Sequence, residues 1–156
     1  MRRALVPFVA MLAIAPGTTK AQQVDACTVV SADDIKAALG RQQLGAARAS
    51  RAAGGYSDCT FAGAGAGDVR IMLEPPNKNA AADFDLKPQI LAEERKKFDT
   101  LTGIGDRALY YEDRLEFRAG DRIGAVWVNR TPRTEAAPAV KTSLTTLAKR
   151  IVERLR

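Results

Sequence analysis

Histidine is absent from the 156 residues. Its absence removes the side chain that most often acts as a general base near neutral pH and most often ligates transition metals. Cysteine is scarce: Cys27 and Cys59 are the whole supply, and they form none of the CxxC pairs that mark zinc ribbons or thioredoxin-like redox centres. Aromatic residues make up 6% of the chain, with a single tryptophan, Trp127. No stretch gathers aromatics and cations as single-strand nucleic-acid binders do. No serine sits in a GxSxG elbow. These absences leave no catalytic residue, no metal ligand and no cofactor-binding residue to name from the sequence, and they argue against nucleic acid as a partner.

Long hydrophobic runs are lacking too, save one at the start. Arg2 and Arg3 precede an uncharged stretch from Ala4 to Ala15, which Pro16 and Gly17 break; Thr19-Lys20-Ala21 then places small residues three and one positions before a cut after Ala21. This is the pattern of a cleavable secretory signal, and the apolar run is too short for the roughly 20 residues that span a bilayer. We expect residues 1–21 to be a signal peptide and 22–156 to form one domain, exported to the periplasm or secreted, with no transmembrane segment in the mature chain. The formal charge of +6 is mostly the leader's: losing Arg2, Arg3 and Lys20 leaves +3, too little to argue for DNA. Exported thiols meet an oxidising compartment, so Cys27 and Cys59 are expected to be bonded to each other. Closing a loop of that length is worth about 3 to 4 kcal/mol in the chain-entropy model.

What is present reads as alternating elements. Ser31-Ala32-Asp33-Asp34 has the form of a capping box opening a helix from Ala32 to Leu39, with Gly40 as its left-handed stop. The acids Asp33 and Asp34 suit the positive end of the helix dipole, which explains them without catalysis. Arg41 to Gly55 reads as a loop or weak edge strand, and Tyr56 to Ala62 as a strand. Val69, Ile71 and Leu73 alternate with Arg70, Met72 and Glu74, the period of a half-buried strand. Asn79 to Phe98 is helical in composition, with Pro88 expected to interrupt it or to start a second segment, and with Glu93 to Lys97 as its solvated side. Strands follow from Arg107 to Glu112, across Leu115 and Phe117, and from Ile123 to Asn129; the last is apolar on both faces, as suits a central strand. Val140, Leu144, Leu147, Ile151 and Leu155 recur at offsets of three and four in a closing amphipathic helix. The order α-β-β-α-β-β-β-α predicts an α+β fold, a single layered domain with about five mostly antiparallel strands packed with helices.

Gly103-Ile104-Gly105-Asp106-Arg107-Ala108 spells the GxGxxA letters of a dinucleotide site. That fingerprint needs a strand before it and a helix after it, whereas here a helix is expected before it and a strand after. For binding, the residues to watch are Trp127, Tyr110 and Met72. They either form a surface patch away from the main core, or Trp127 fills the core beneath a helix, as highly buried tryptophans often do.

Cys27 with the Ser31-to-Gly40 helix, Cys59-Thr60-Phe61 in a strand, Gly103 to Ala108 leading into Tyr110, Phe117 to Asp121 before Val126, and Leu147 to Leu155 as a last helix together resemble small exported bacterial domains of unknown function, notably a family of actinobacterial cell-envelope lipoproteins. The resemblance implies an α+β envelope domain with a Cys27 to Cys59 bridge and brings no catalytic residues; the family's lipid-modified cysteine has no counterpart here. The expected function is a non-enzymatic binding or accessory module of the envelope, its partner an envelope protein or a small ligand. The alternatives are a small exported enzyme or enzyme inhibitor whose site assembles only in three dimensions, and a basic lipid- or glycan-associating surface.

Overall fold

The computed structural model describes residues 24–40, 43–63, 67–129 and 138–156; the expected leader, residues 1–21, lies outside them. The elements run α1 (Ala32–Leu39), β1 (Ala47–Arg51), β2 (Ser57–Phe61), β3 (Asp68–Leu73), α2 (Ala80–Asp85), α3 (Lys87–Glu93), β4 (Asp99–Leu101), β5 (Arg107–Tyr111), β6 (Arg114–Ala119), β7 (Arg122–Asn129) and α4 (Pro138–Leu155). The α+β class is as expected. Among the described residues the sheet has seven strands rather than about five, in the order β1-β2-β3-β7-β6-β5-β4, every pair antiparallel. The two additional strands are its edges: β1, within the segment read as a loop or weak edge strand, and β4, which was not expected. They are short and mostly exposed, so neither carries the apolar alternation that betrays a strand. The apolar β7 takes the middle position.

Alternation along the strands divides the side chains between two faces. One face sends Cys59, Phe61, Val69, Ile71, Leu115, Phe117, Val126 and Val128 against Ile35 of α1 and Leu144, Leu147, Ile151 and Val152 of α4, forming the main core. Cys27 is bonded to Cys59 with their Cα atoms 5.0 Å apart, which pins the segment before α1 onto β2. The second face meets the α2–α3 pair through a smaller cluster of Ala80, Phe84, Leu91, Leu109 and Ile123.

The α1 capping box forms as the sequence implies, with Asp34 N donating to Ser31 Oγ at 3.1 Å and Ser31 N donating to Asp34 Oδ2 at 3.0 Å. Pro88 falls within the first two positions of α3, where its missing N–H costs no helical bond. The two-helix break therefore lies at Leu86. The Gly103–Gly105 loop joins β4 to β5, so a strand rather than a helix precedes it, and still no helix follows. Its glycines serve the turn: Gly105 has φ +57°, and a Cβ there would stand 2.2 Å from the carbonyl oxygen of Arg118. The neighbouring Asp106 N donates to that same oxygen at 2.8 Å.

Candidate functional site

The α2–α3 pair covers the second face only over part of the sheet, with α2 packed on β6 and β7. Strand register decides what stands beside it. The tight turn between β6 and β7 pairs Arg114 with Trp127, and the β3–β7 ladder pairs Arg70 with Trp127. Directly opposed residues project from the same face, so two arginines flank the indole from the strands on either side. Their guanidinium carbons lie 5.3 Å (Arg70) and 4.5 Å (Arg114) from the ring centroid, within cation–π range.

Each arginine is held from beneath by a buried acid. Arg70 Nε donates to Asp58 Oδ1 at 3.0 Å, and Arg114 Nε donates to Glu116 Oε1 at 2.6 Å. The side chains of Asp58 and Glu116 are 6% and 4% exposed, against 46% for Arg70 and 26% for Arg114. With Nε engaged, the Nη nitrogens of both guanidiniums have no hydrogen-bond partner among the described residues.

Glu116 links this stack to a cleft of about 220 Å³ lined by Lys87, Ile90, Leu91, Glu94, Lys96, Tyr111 and Glu116. Tyr111 donates its hydroxyl to Glu116 Oε1 at 2.6 Å. Lys87 Nζ lies 2.6 Å from Oε2 as an ion-pair contact, although that oxygen has no hydrogen bond of good geometry. Burial pushes the Glu116 pKa up, and the attraction of Lys87 and Arg114 outweighs it, so the carboxyl ends below its ordinary value. Burial and the bond to Glu116 push the Tyr111 phenol far above its ordinary value. Glu74, half-buried on the same side, is raised by burial against the pull of Lys87, with the Glu116 charge adding to the rise.

Lys96 reaches the cleft by an unusual chain path. Helix α3 ends with Arg95 at φ +58°, Lys96 N donates to Leu91 O and Arg95 N to Ala92 O. That left-handed stop turns Lys96 back over the Tyr111 ring and onto Glu94 at 2.8 Å. The Glu93-to-Lys97 run is therefore not one solvated helix side. A second hollow of about 280 Å³ lies at the other end of the fold, between Gly103, Gly105 and the end of α4 at Lys149, Glu153 and Arg156. Among the described residues no group of three acids or cysteines is placed to hold a metal ion.

The structure brings together two of the three residues singled out from the sequence. Met72 and Trp127 share the second face, where Met72 pairs with Ala125. Trp127 is partly buried and belongs to neither apolar core, so it does not fill the core beneath a helix. Tyr110 points the other way: it is buried in the main core and its hydroxyl donates to Asp113 Oδ1 at 3.2 Å. Its neighbour Tyr111 takes the place expected for it, a one-residue change of frame that exchanges the faces. Arg114 was within reach of the sequence, because the turn at Gly120–Asp121 fixes the register that sets it against Trp127. Arg70 was not, since the β3–β7 pairing joins segments far apart in the chain. No family model, curated protein or solved structure matches this chain.

Proposed function

We propose that the protein is an exported, non-enzymatic binding module of the bacterial envelope, periplasmic or secreted, that recognises an anionic group on the Arg70–Trp127–Arg114 side of its sheet. The observation that carries this is the stack itself: two guanidiniums oriented by an indole and by buried carboxylates at Nε, leaving fork-shaped donors that suit carboxylate or phosphate. Ordering is supplied before a ligand arrives, which lowers the entropic cost of binding. Export is supported by the leader-like residues 1–21, the Cys27–Cys59 bond and the lack, among the described residues, of a helix long and apolar enough to cross a membrane. The resemblance to actinobacterial envelope domains belongs to the same proposal.

A binding rather than catalytic role is supported by the titration of the cleft. A general acid or base works best with a pKa near the working pH, yet Glu116 is pushed down and Tyr111 up. The second reading, a small exported enzyme or inhibitor, draws on Glu74: a carboxyl raised beside one that is lowered is how acid and base roles are divided. Because Trp127 is the single tryptophan, its fluorescence reports the site alone. Titration with D-glucuronate or inorganic phosphate at low ionic strength is expected to give a saturable change that Arg70→Ala and Arg114→Ala each weaken at least about tenfold, the scale of one charge-assisted contact. A response unaffected by both substitutions would overturn the assignment, and turnover abolished by Glu74→Gln would favour the enzyme.

A further inference from the structure

The arginine–tryptophan stack is the centre of a longer line. Following the registers strand by strand, Arg48 of β1 pairs with Thr60 of β2, Thr60 with Arg70 of β3, Arg70 with Trp127 of β7, Trp127 with Arg114 of β6, and Arg114 with Tyr111 of β5. Six consecutive strands thus contribute one row running at right angles to the chain direction. Arginine recurs at every second strand. Strands lie about 4.8 Å apart, so successive guanidinium stems in this row are spaced by about 10 Å.

We infer that this row binds a linear acidic glycan, a polysaccharide carrying one carboxylate per disaccharide, laid across the strands with its carboxylates on Arg48, Arg70 and Arg114. This rests on the anion-binding role proposed above and deepens it by naming the polymer. Charge complementarity is the first support. The acids bonded to the row's arginines, Asp58 and Glu116, are buried, while Arg48 is exposed and has no partner among the described residues. The Arg48 end of the row is therefore cationic, and Arg70 and Arg114 expose their guanidiniums above buried acids.

Spacing is the second support: a disaccharide repeat is as long as two strand spacings, so the carboxylates of one extended chain meet successive arginines without a bend. The covered indole is the third. Single-strand nucleic acids are held by bases stacked on open aromatic faces, and Trp127 has arginines over its ring from both flanking strands. At the far end Lys96 lies over Tyr111, paired with Glu94 and Glu112, which closes the row.

The test is a length series read by Trp127 fluorescence on the whole mature chain: di-, tetra- and hexasaccharides of hyaluronan, carrying one, two and three carboxylates. Affinity is expected to rise at least about tenfold from disaccharide to hexasaccharide, because each added contact is intramolecular. Arg48→Ala, on an exposed edge strand where folding is not at stake, should lower the hexasaccharide to the affinity of the tetrasaccharide. Equal affinity at every length, with the disaccharide still bound, overturns the polymer and leaves the anion site standing. Failure of every length to bind overturns both. Tighter binding of a thymidine hexanucleotide overturns the glycan in favour of nucleic acid, and equal binding of an uncharged chitin hexamer overturns the role of charge.

Discussion

Gly124 shows how one missing side chain shapes the main core. A Cβ built there would stand 2.4 Å from Phe117 Cζ and 3.0 Å from Leu73 Cδ2, and both neighbours are buried. Gly124→Ala is expected to lower stability by about 1 to 3 kcal/mol, the usual cost of overpacking, in urea unfolding. Adding Phe117→Leu should shrink that increment, because the two changes meet in one contact. At the opposite face, Glu116→Gln leaves Lys87 and Arg114 partly buried without their counter-charge. A loss of about 2 to 3 kcal/mol is expected, together with a changed Trp127 emission as Arg114 loses its Nε anchor. Which residues mattered was only half legible: Glu116 alternates with Leu115 and Phe117 and so had to face away from the main core, but its burial depends on α2 and α3 closing over it, which no local pattern announces.

At the scale of elements, α1 and α4 are joined by charge. Asp34, the residue that completes the α1 capping box, also takes Arg150 Nη1 at 2.7 Å and Arg154 Nη1 at 2.8 Å from α4. The backbone bond from Ser31 and the bond from Arg154 hold its carboxyl well below the ordinary 3.8. A folded pKa below the unfolded one stabilises the fold above the unfolded pKa and is lost as pH falls through the folded pKa. Asp34→Asn should therefore cost about 1 to 2 kcal/mol at pH 7, with the gap to wild type narrowing below about pH 4. Helix α3 carries the opposite opportunity. Arg95 sits at φ +58°, a conformation that costs a residue with a Cβ about 1 kcal/mol, so Arg95→Gly is expected to leave stability unchanged or raise it by up to about 1 kcal/mol in thermal unfolding. The capping box and Gly40 stop of α1 were readable because they are local. The Arg95 stop was not, since arginine carries no preference for the left-handed region; β4 escaped for want of a buried side, and the same lack left β1 open between a loop and a weak edge strand.

For the whole molecule, the disulfide is the one covalent tie between the N-terminal segment and the sheet. Replacing both Cys27 and Cys59 by alanine should lower unfolding free energy by about 3 to 4 kcal/mol, and reduction of the unaltered protein should move the transition the same way. The class, the antiparallel meander and the central place of β7 were legible because apolar alternation and short turns encode them. The strand order was not, because β3 finds β7 across the length of the chain, and that pairing is what sets Arg70 beside Trp127. The most direct measurement is a ¹H–¹⁵N NMR titration of residues 22–156 with D-glucuronate, following the Trp127 indole N–H and the arginine Nε–H signals. Shifts are expected at Trp127, Arg70 and Arg114 and in the amides of β3, β6 and β7. Shifts confined to Gly103, Lys149 and Arg156 at the other hollow, or none at the indole, would contradict an anion-binding sheet face.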